Sequence, residues 1–203
     1  MIAIVDYGVG NLFSLKSSLS MIGAQALVTR DAEALRAADK IILPGVGAFE
    51  DAAKKLRATG LDAVVVEQAR AGKPLLGICL GMQLLFDRSF EYGEHKGLGL
   101  LKGDVVDMRP RIPAELKVPQ IGWNALIFKQ PEHPLFRYTS EGDCVYFVHS
   151  YYASNCEDST LATTEYGAEL TAAVGSENIL GCQFHPEKSG RVGLNILKAF
   201  CEI

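Results

Sequence analysis

The sequence predicts an α/β fold: a single domain over residues 1–203, with a central, mostly parallel sheet flanked by helices and an antiparallel β portion in the C-terminal half. Three observations carry that expectation. Short apolar runs alternate with helical periodicities through the first half, glycines stand where those periodicities stop, and from about Gly97 the pattern changes to short β-type runs.

Residues 2–5 form the first apolar run, followed by the turn Asp6-Tyr-Gly-Val-Gly-Asn11 and by Leu12, Leu15, Leu19 and Ile22 at helical spacing. That is a strand, a turn and a helix, with Asn11 placed to cap it. The unit recurs: 26–29 reads as a strand, Asp31 as the cap of a helix ending near Ala38, and 40–43 as another strand. Residues 49–58 and 61–71 read as helices, with Gly60 and Gly72 ending them in the left-handed conformation. Residues 74–78 are expected to form a buried central strand, and 80–86 the helix that it feeds. Beyond it, 98–108, 126–128, 145–149, 170–174 and 179–184 read as strands, the last two as a hairpin across Gly-Ser-Glu-Asn. A helix over 191–201 closes the chain.

Composition narrows the function. The chain carries 20 Lys and Arg against 24 Asp and Glu, for a net charge of −4. No basic run offers a patch for phosphate backbones, so nucleic acid is not expected as a partner. The opening residues lack a basic flank and a small-residue cleavage site, and no apolar stretch is long enough to cross a bilayer; a soluble, cytoplasmic protein without membrane contact is expected. Five cysteines, an odd number with no CxxC pair, read as reduced thiols. No residues have metal-ligand spacing, so neither metal nor cofactor is expected.

Gly77-Ile-Cys79-Leu-Gly81 fits a nucleophile elbow, a sharp strand-to-helix turn that lifts one side chain above the sheet edge and needs glycines where a Cβ would clash. Alone, the pentapeptide suits a buried core cysteine equally well. Gly181-Cys-Gln-Phe-His185-Pro-Glu187 tilts the balance. Alternate residues of an extended segment share a face, so Glu187 can bond one imidazole nitrogen of His185 and leave the other for a thiol proton. Developing negative charge on a substrate oxygen would need donors, for which the backbone N–H of Leu80 and the Pro44-Gly-Val46-Gly47 loop are candidates. A dinucleotide loop at Gly8-Val-Gly10 is rejected because Phe13 stands where the third glycine belongs. His95 and His133 lie in polar stretches and are expected to be solvated, and His149 to be a satisfied interior residue.

With PGVG, GICLGMQ and FHPE together, the chain resembles the class I, triad-type glutamine amidotransferases, a flavodoxin-like family, over residues 1–203. Within them it looks most like the glutaminase subunits of imidazole glycerol phosphate synthase, on DYGVGNL at 6–12, PGVGAF at 44–49, PQIGWN at 119–124 and HPEKSG at 185–190. The resemblance implies that Cys79 attacks the side-chain amide of glutamine to give a γ-glutamyl thioester and ammonia, with His185 as base and acid and Glu187 orienting it. It implies an oxyanion hole of Val46, Gly47 and Leu80, and a glutamine site of Gly47, Gln83, Glu91, Ser150 and Tyr151. It implies a (β/α)₈-barrel cyclase subunit as partner, facing Asn11, Trp123 and Lys188, which uses the ammonia to turn the nucleotide PRFAR into imidazole glycerol phosphate and AICAR in histidine biosynthesis. It also implies that a peptide of the PGVG loop turns its N–H toward the oxyanion, a turn Gly45 and Gly47 permit. Without the resemblance, Trp123 would be read as a core anchor and Lys188 as a solvated charge. A glutaminase of another pathway would share the triad but not PQIGWN or Lys188; a cysteine hydrolase on the same elbow is the other alternative.

Overall fold

The computed structural model describes residues 1–203 and follows the expected alternation through the first half. In chain order it runs β1 (Ile2–Val5), α1 (Leu12–Met21), β2 (Ala26–Thr29), α2 (Ala32–Ala37), β3 (Lys40–Gly45), α3 (Phe49–Ala58), α4 (Leu61–Arg70), β4 (Leu75–Cys79) and α5 (Leu80–Leu84). The second half holds β5 (Phe86–Ser89), β6 (His95–Lys96), β7 (Leu101–Asp107), β8 (Gln120–Ala125), β9 (Ile127–Phe128), β10 (Cys144–His149), β11 (Tyr151–Ser154), β12 (Thr160–Glu165), β13 (Glu169–Ser176), β14 (Ile179–Cys182) and α6 (Gly190–Glu202). Gly60 and Gly72 have φ of +71° and +91°, the left-handed turns expected of them.

The main sheet has eight strands in the order β2-β1-β3-β4-β14-β13-β12-β9. The first five are parallel; β13, β12 and β9 continue antiparallel. Period-two alternation sorts the buried side chains onto two faces. Ala3, Val5, Ile41, Leu43 and Leu75 pack with residues of α2, α3 and α4, while Ile2, Ile4, Ile42, Leu76 and Ile78 pack with Leu15 and Leu19 of α1 and Ile196, Leu197 and Phe200 of α6. Each fully buried Leu, Ile or Phe contributes on the order of 2 kcal/mol, so helices cover both faces wherever the strands are apolar on both sides. A four-stranded sheet, β11-β7-β5-β6, and a two-stranded one, β10-β8, stand beside the main sheet.

The expected helix over 80–86 is shorter than anticipated. Its last hydrogen bond is Leu85 N–H to Met82 C=O, and Phe86 begins β5, paired with β7. A short, wholly apolar run has no period to distinguish helix from strand. Strands β6, β8, β11 and β12 escaped the sequence pattern altogether. In β8 the apolar residues Ile121 and Trp123 face outward and Gly122 and Asn124 lie on the other side, the reverse of a half-buried strand. No helix is long and apolar enough to cross a membrane.

Of the chain's glycines, Gly81 in α5 makes the closest backbone approach, onto β3. A Cβ built there would stand 1.8 Å from the carbonyl oxygen of Leu43 in β3. Gly81→Ala is therefore expected to force β3 and α5 apart and cost about 3 kcal/mol, lowering the thermal midpoint by roughly 6–12 °C for a chain of this size. A melt by circular dichroism within a degree or two of the parent would contradict the contact.

Candidate active site

Strand β4 ends in a strained turn. Cys79 has φ +54° and ψ −113°, a region that L side chains avoid at a cost of about 1–3 kcal/mol. Its surroundings enforce that conformation: β4 is paired on both sides, with β3 and β14, and α5 is pressed onto the strand. A Cβ on Gly77 would lie 2.7 Å from the Gly81 carbonyl oxygen and from Met82 N. The two glycines of the elbow are thus demanded by backbone packing, as expected. Cys79 lines a cleft of about 500 Å³ together with Asn11, Val46, Gly47, Leu80, Gln83, Glu91, Ser150, Tyr151, His185 and Lys188.

His185 follows β14, which lies beside β4 in the sheet. Its backbone N–H donates to Tyr146 C=O at 2.9 Å, Ser189 Oγ donates to its carbonyl at 2.7 Å, and Ser189 Oγ in turn accepts from Tyr146 N–H. These bonds seat the segment on β10. Its imidazole lines the same cleft as the Cys79 sulfur, and its Nδ1 lies 2.8 Å from Glu187 Oε1. Side chains of His185 and Glu187 are each 2% exposed. Burial works against the charged imidazole, yet the neighbouring Cys79 and Glu187 side chains outweigh it and raise His185 to about 9. Burial likewise works against the Glu187 carboxylate, and its bond to His185 wins, holding it below the ordinary range. Of the three side chains expected together, Cys79 and His185 line one cleft and the Glu187 carboxylate stands behind the imidazole.

Asn11 is half-buried and does not cap α1 with its side chain, contrary to expectation. Its Nδ2 donates to Glu187 Oε1 at 3.0 Å, the oxygen that also faces His185. The turn after β1 thus reaches the triad. Glu187 Oε2 is buried without a hydrogen-bond partner.

Around the sulfur, the remaining expected residues divide by what they already bond. Gly47 is exposed with φ +94°, a conformation that suits glycine, whereas Gly45 has no such φ. Gly45 is required for close approach instead: a Cβ there would stand 2.7 Å from Gly81 N and 2.9 Å from the Tyr7 hydroxyl. That hydroxyl donates to Pro44 C=O at 2.7 Å and pins the start of the loop. Val46 is 36% exposed at the cleft rim and Leu80 is buried at its floor. Gln83 Nε2 donates to Tyr151 C=O at 2.9 Å and to Gln183 Oε1 at 3.0 Å. The carbonyls of Ser150 and Tyr151 are both engaged, by Met108 N–H and by Gln83 and His149. Glu91 accepts from Phe49 N–H at 2.6 Å, at the first turn of α3, and burial raises its carboxyl above the ordinary range.

The partner-facing residues expected at Asn11, Trp123 and Lys188 gather on the same side. Trp123 is 54% exposed, so it is not a core anchor. Its ring meets Tyr146 edge-on at 6.1 Å, and the Lys188 ammonium stands 5.8 Å above that same Tyr146 ring. His149 is the satisfied interior residue expected, and it lines the cleft as well: Nδ1 lies 2.9 Å from Tyr151 C=O and Nε2 lies 3.0 Å from the Gln120 side-chain amide. His95 and His133 are not freely solvated. His133 accepts from Leu135 N–H at the start of a single helical turn, and His95 is enclosed with Nε2 unpartnered. Sequence reading missed Gln183, fully buried with Nε2 3.7 Å from Cys79 Sγ. Its signal was present, because Gln183 lies two residues before His185, on the face that the alternation argument assigned to His185 and Glu187. A larger groove of about 580 Å³, between β11, β12 and β13, contains none of the expected residues. No three His, Cys, Asp or Glu side chains gather as a metal site.

Comparison with known proteins agrees with this geometry. The family model "Glutamine amidotransferase class-I" matches residues 3–202. The chain is 50% identical to the imidazole glycerol phosphate synthase subunit HisH of Oceanobacillus iheyensis, over all of this chain and 99% of that one. It is 48% identical to the subunit of the same name from Caldanaerobacter subterraneus, over all of this chain and 98% of that one. Among solved structures, a crystal structure of a glutamine amidotransferase aligns with TM-score 0.76 and 21% identity over all of this chain and 98% of that one. PurLQS from Thermotoga maritima aligns with TM-score 0.73 and 21% identity over 99% and 97%; at such identity both speak for the fold. The chain belongs to the class I glutamine amidotransferases, and within them to the family of the HisH subunits of imidazole glycerol phosphate synthase.

Proposed function

We propose that this chain hydrolyses glutamine to glutamate and ammonia at Cys79 and passes the ammonia to a barrel cyclase subunit that makes imidazole glycerol phosphate and AICAR from PRFAR. The observation that carries the reading is a buried imidazole that shares a cleft with a cysteine at a strained elbow and bonds a buried carboxylate behind it. With the Cys79 proton held on His185, the sulfur attacks the amide carbon, and the oxygen becomes an anion facing the Leu80 N–H and the Val46–Gly47 loop. His185 returns the proton to the departing nitrogen, ammonia leaves and a γ-glutamyl thioester remains. Water then gives its proton to His185, attacks the thioester and frees glutamate and the thiol.

The substrate's ammonium group fits Glu91, whose half-buried carboxylate lines the cleft and accepts from Phe49 N–H. With both hydrogens of Gln83 Nε2 already bonded, its Oε1 is the atom left to accept from substrate. The exposed Trp123 and Lys188 beside the cleft support a docking face for the cyclase, with Asn11 linking that face to Glu187. Five unpaired cysteines accord with action in the reducing cytoplasm.

Three outcomes are expected. Cys79→Ala should abolish glutamine-dependent cyclisation in the reconstituted pair, while the cyclase still runs on added ammonia; persistent glutamine use would remove the thiol from the mechanism. Glu91→Gln should raise KM for glutamine roughly ten- to hundredfold, the worth of a charge-assisted hydrogen bond, with kcat changed much less; an unchanged KM would place the α-amino group elsewhere. Because His185 is raised from about 6.5 to about 9 in the fold, its protonation stabilises the protein fully below pH ~6.5, and that contribution is lost as pH rises through about 9. Thermal midpoints of the parent should therefore fall more steeply between these pH values than those of His185→Gln, and parallel curves would refute the linkage.

A further inference from the structure

Gln183 is fully buried and the reaction described above gives it no part. A buried amide is costly unless its polar groups are bonded, and both side-chain polar atoms of Gln183 and its backbone N–H are committed. Its backbone N–H donates to Ala172 C=O at 2.8 Å, its Oε1 accepts from Gln83 Nε2 at 3.0 Å, and its Nε2 donates to Cys79 Sγ across 3.7 Å. The direction of these bonds is set from one end. Tyr151 C=O can only accept, so Gln83 must present its NH₂ to it; the second hydrogen of that NH₂ requires an oxygen from Gln183, which leaves the Gln183 NH₂ toward sulfur.

We propose that Gln183 is a positioning residue for the glutaminase reaction: its amide N–H holds the Cys79 sulfur in place and stabilises the charge left there when His185 takes the proton. This rests on the reading of the cleft as a glutaminase site. An amide suits the task because it donates to a thiolate yet does not accept a proton at neutral pH, so it leaves His185 as the only base. The tether also joins the sulfur to the wall of the cleft that contacts substrate. From Gln183 the bonds continue through Gln83 to the Tyr151 carbonyl, which also accepts from His149. Thiol, substrate wall and the end of β10 are thereby held in one register.

The test compares Gln183→Glu, which keeps an oxygen for Gln83 but offers sulfur no amide donor, with Gln183→Met, which fills the space without polar groups. Labelling of Cys79 by iodoacetamide at one fixed pH is followed by peptide mass spectrometry, with the exposed Cys144 of the same molecule as reference. Steady-state glutaminase kinetics are measured on the complex with the cyclase, and thermal melts report folding. Both variants should slow Cys79 labelling relative to Cys144 by roughly tenfold or more and lower kcat roughly ten- to hundredfold, the worth of a hydrogen bond to a charged group, with KM moved less than kcat. An unchanged labelling ratio in a folded variant overturns the proposal, whether or not kcat falls, because the loss would then be structural. If the Met variant does not fold, the Glu isostere decides. A parent complex without glutaminase activity would refute the functional reading, and the labelling ratio would still decide whether Gln183 governs the sulfur.

Discussion

Everything at the site follows from the parallel pairing of β4 with β14. Residues more than a hundred positions apart in sequence are placed in register, Ile78 opposite Cys182, so that both chains leave the same edge of the sheet side by side. The carboxyl ends of parallel strands are where an open α/β sheet offers a crevice. Here that crevice receives a sulfur from one strand and an imidazole from its neighbour. Without that adjacency, the strained turn at Cys79 and the buried His185–Glu187 pair would be separate oddities.

The polar groups gathered there are bonded in a way that divides the work. Glu187 Oε1 takes bonds from both His185 and Asn11, which orients the imidazole and ties the triad to the first turn of the chain. On the other side of the sulfur a line of neutral amides, Gln183 and Gln83, ends on a backbone carbonyl. One side can move a proton and the other cannot. Buried networks of this kind are stable only when nearly every member is satisfied, which explains why so few polar atoms at the floor of the cleft remain unspent.

Much of this was legible in the sequence, because it is encoded locally. Strand and helix alternation up to Cys79 depends on period and punctuation, and the elbow depends on glycines two residues either side of a cysteine. His185 and Glu187 could be placed on one face by alternation alone. What was not legible depends on contacts between distant segments. The five-residue α5 ends because Phe86 finds a strand partner in β7. Strand β8 turns its apolar residues Ile121 and Trp123 outward into solvent, against the usual rule for a strand. Asn11 has the residue type of a helix cap, and a carboxylate from the far end of the chain claims its side chain. Gln183 was visible in the same alternation and was overlooked because an amide announces no chemistry until a sulfur is beside it.

Two glycines seat the two halves of the site in the same manner. Gly81 rests on the Leu43 carbonyl, and Gly193, in α6, rests so closely on the Pro186 carbonyl that a Cβ would stand 1.9 Å from its oxygen. Such zero-clearance seats leave no slack for gradual adjustment: a single added methyl must displace a whole strand or helix. Redesign in the laboratory therefore has its freedom where side chains stand in solvent, and must carry the close-packed backbone beneath the site over as one piece.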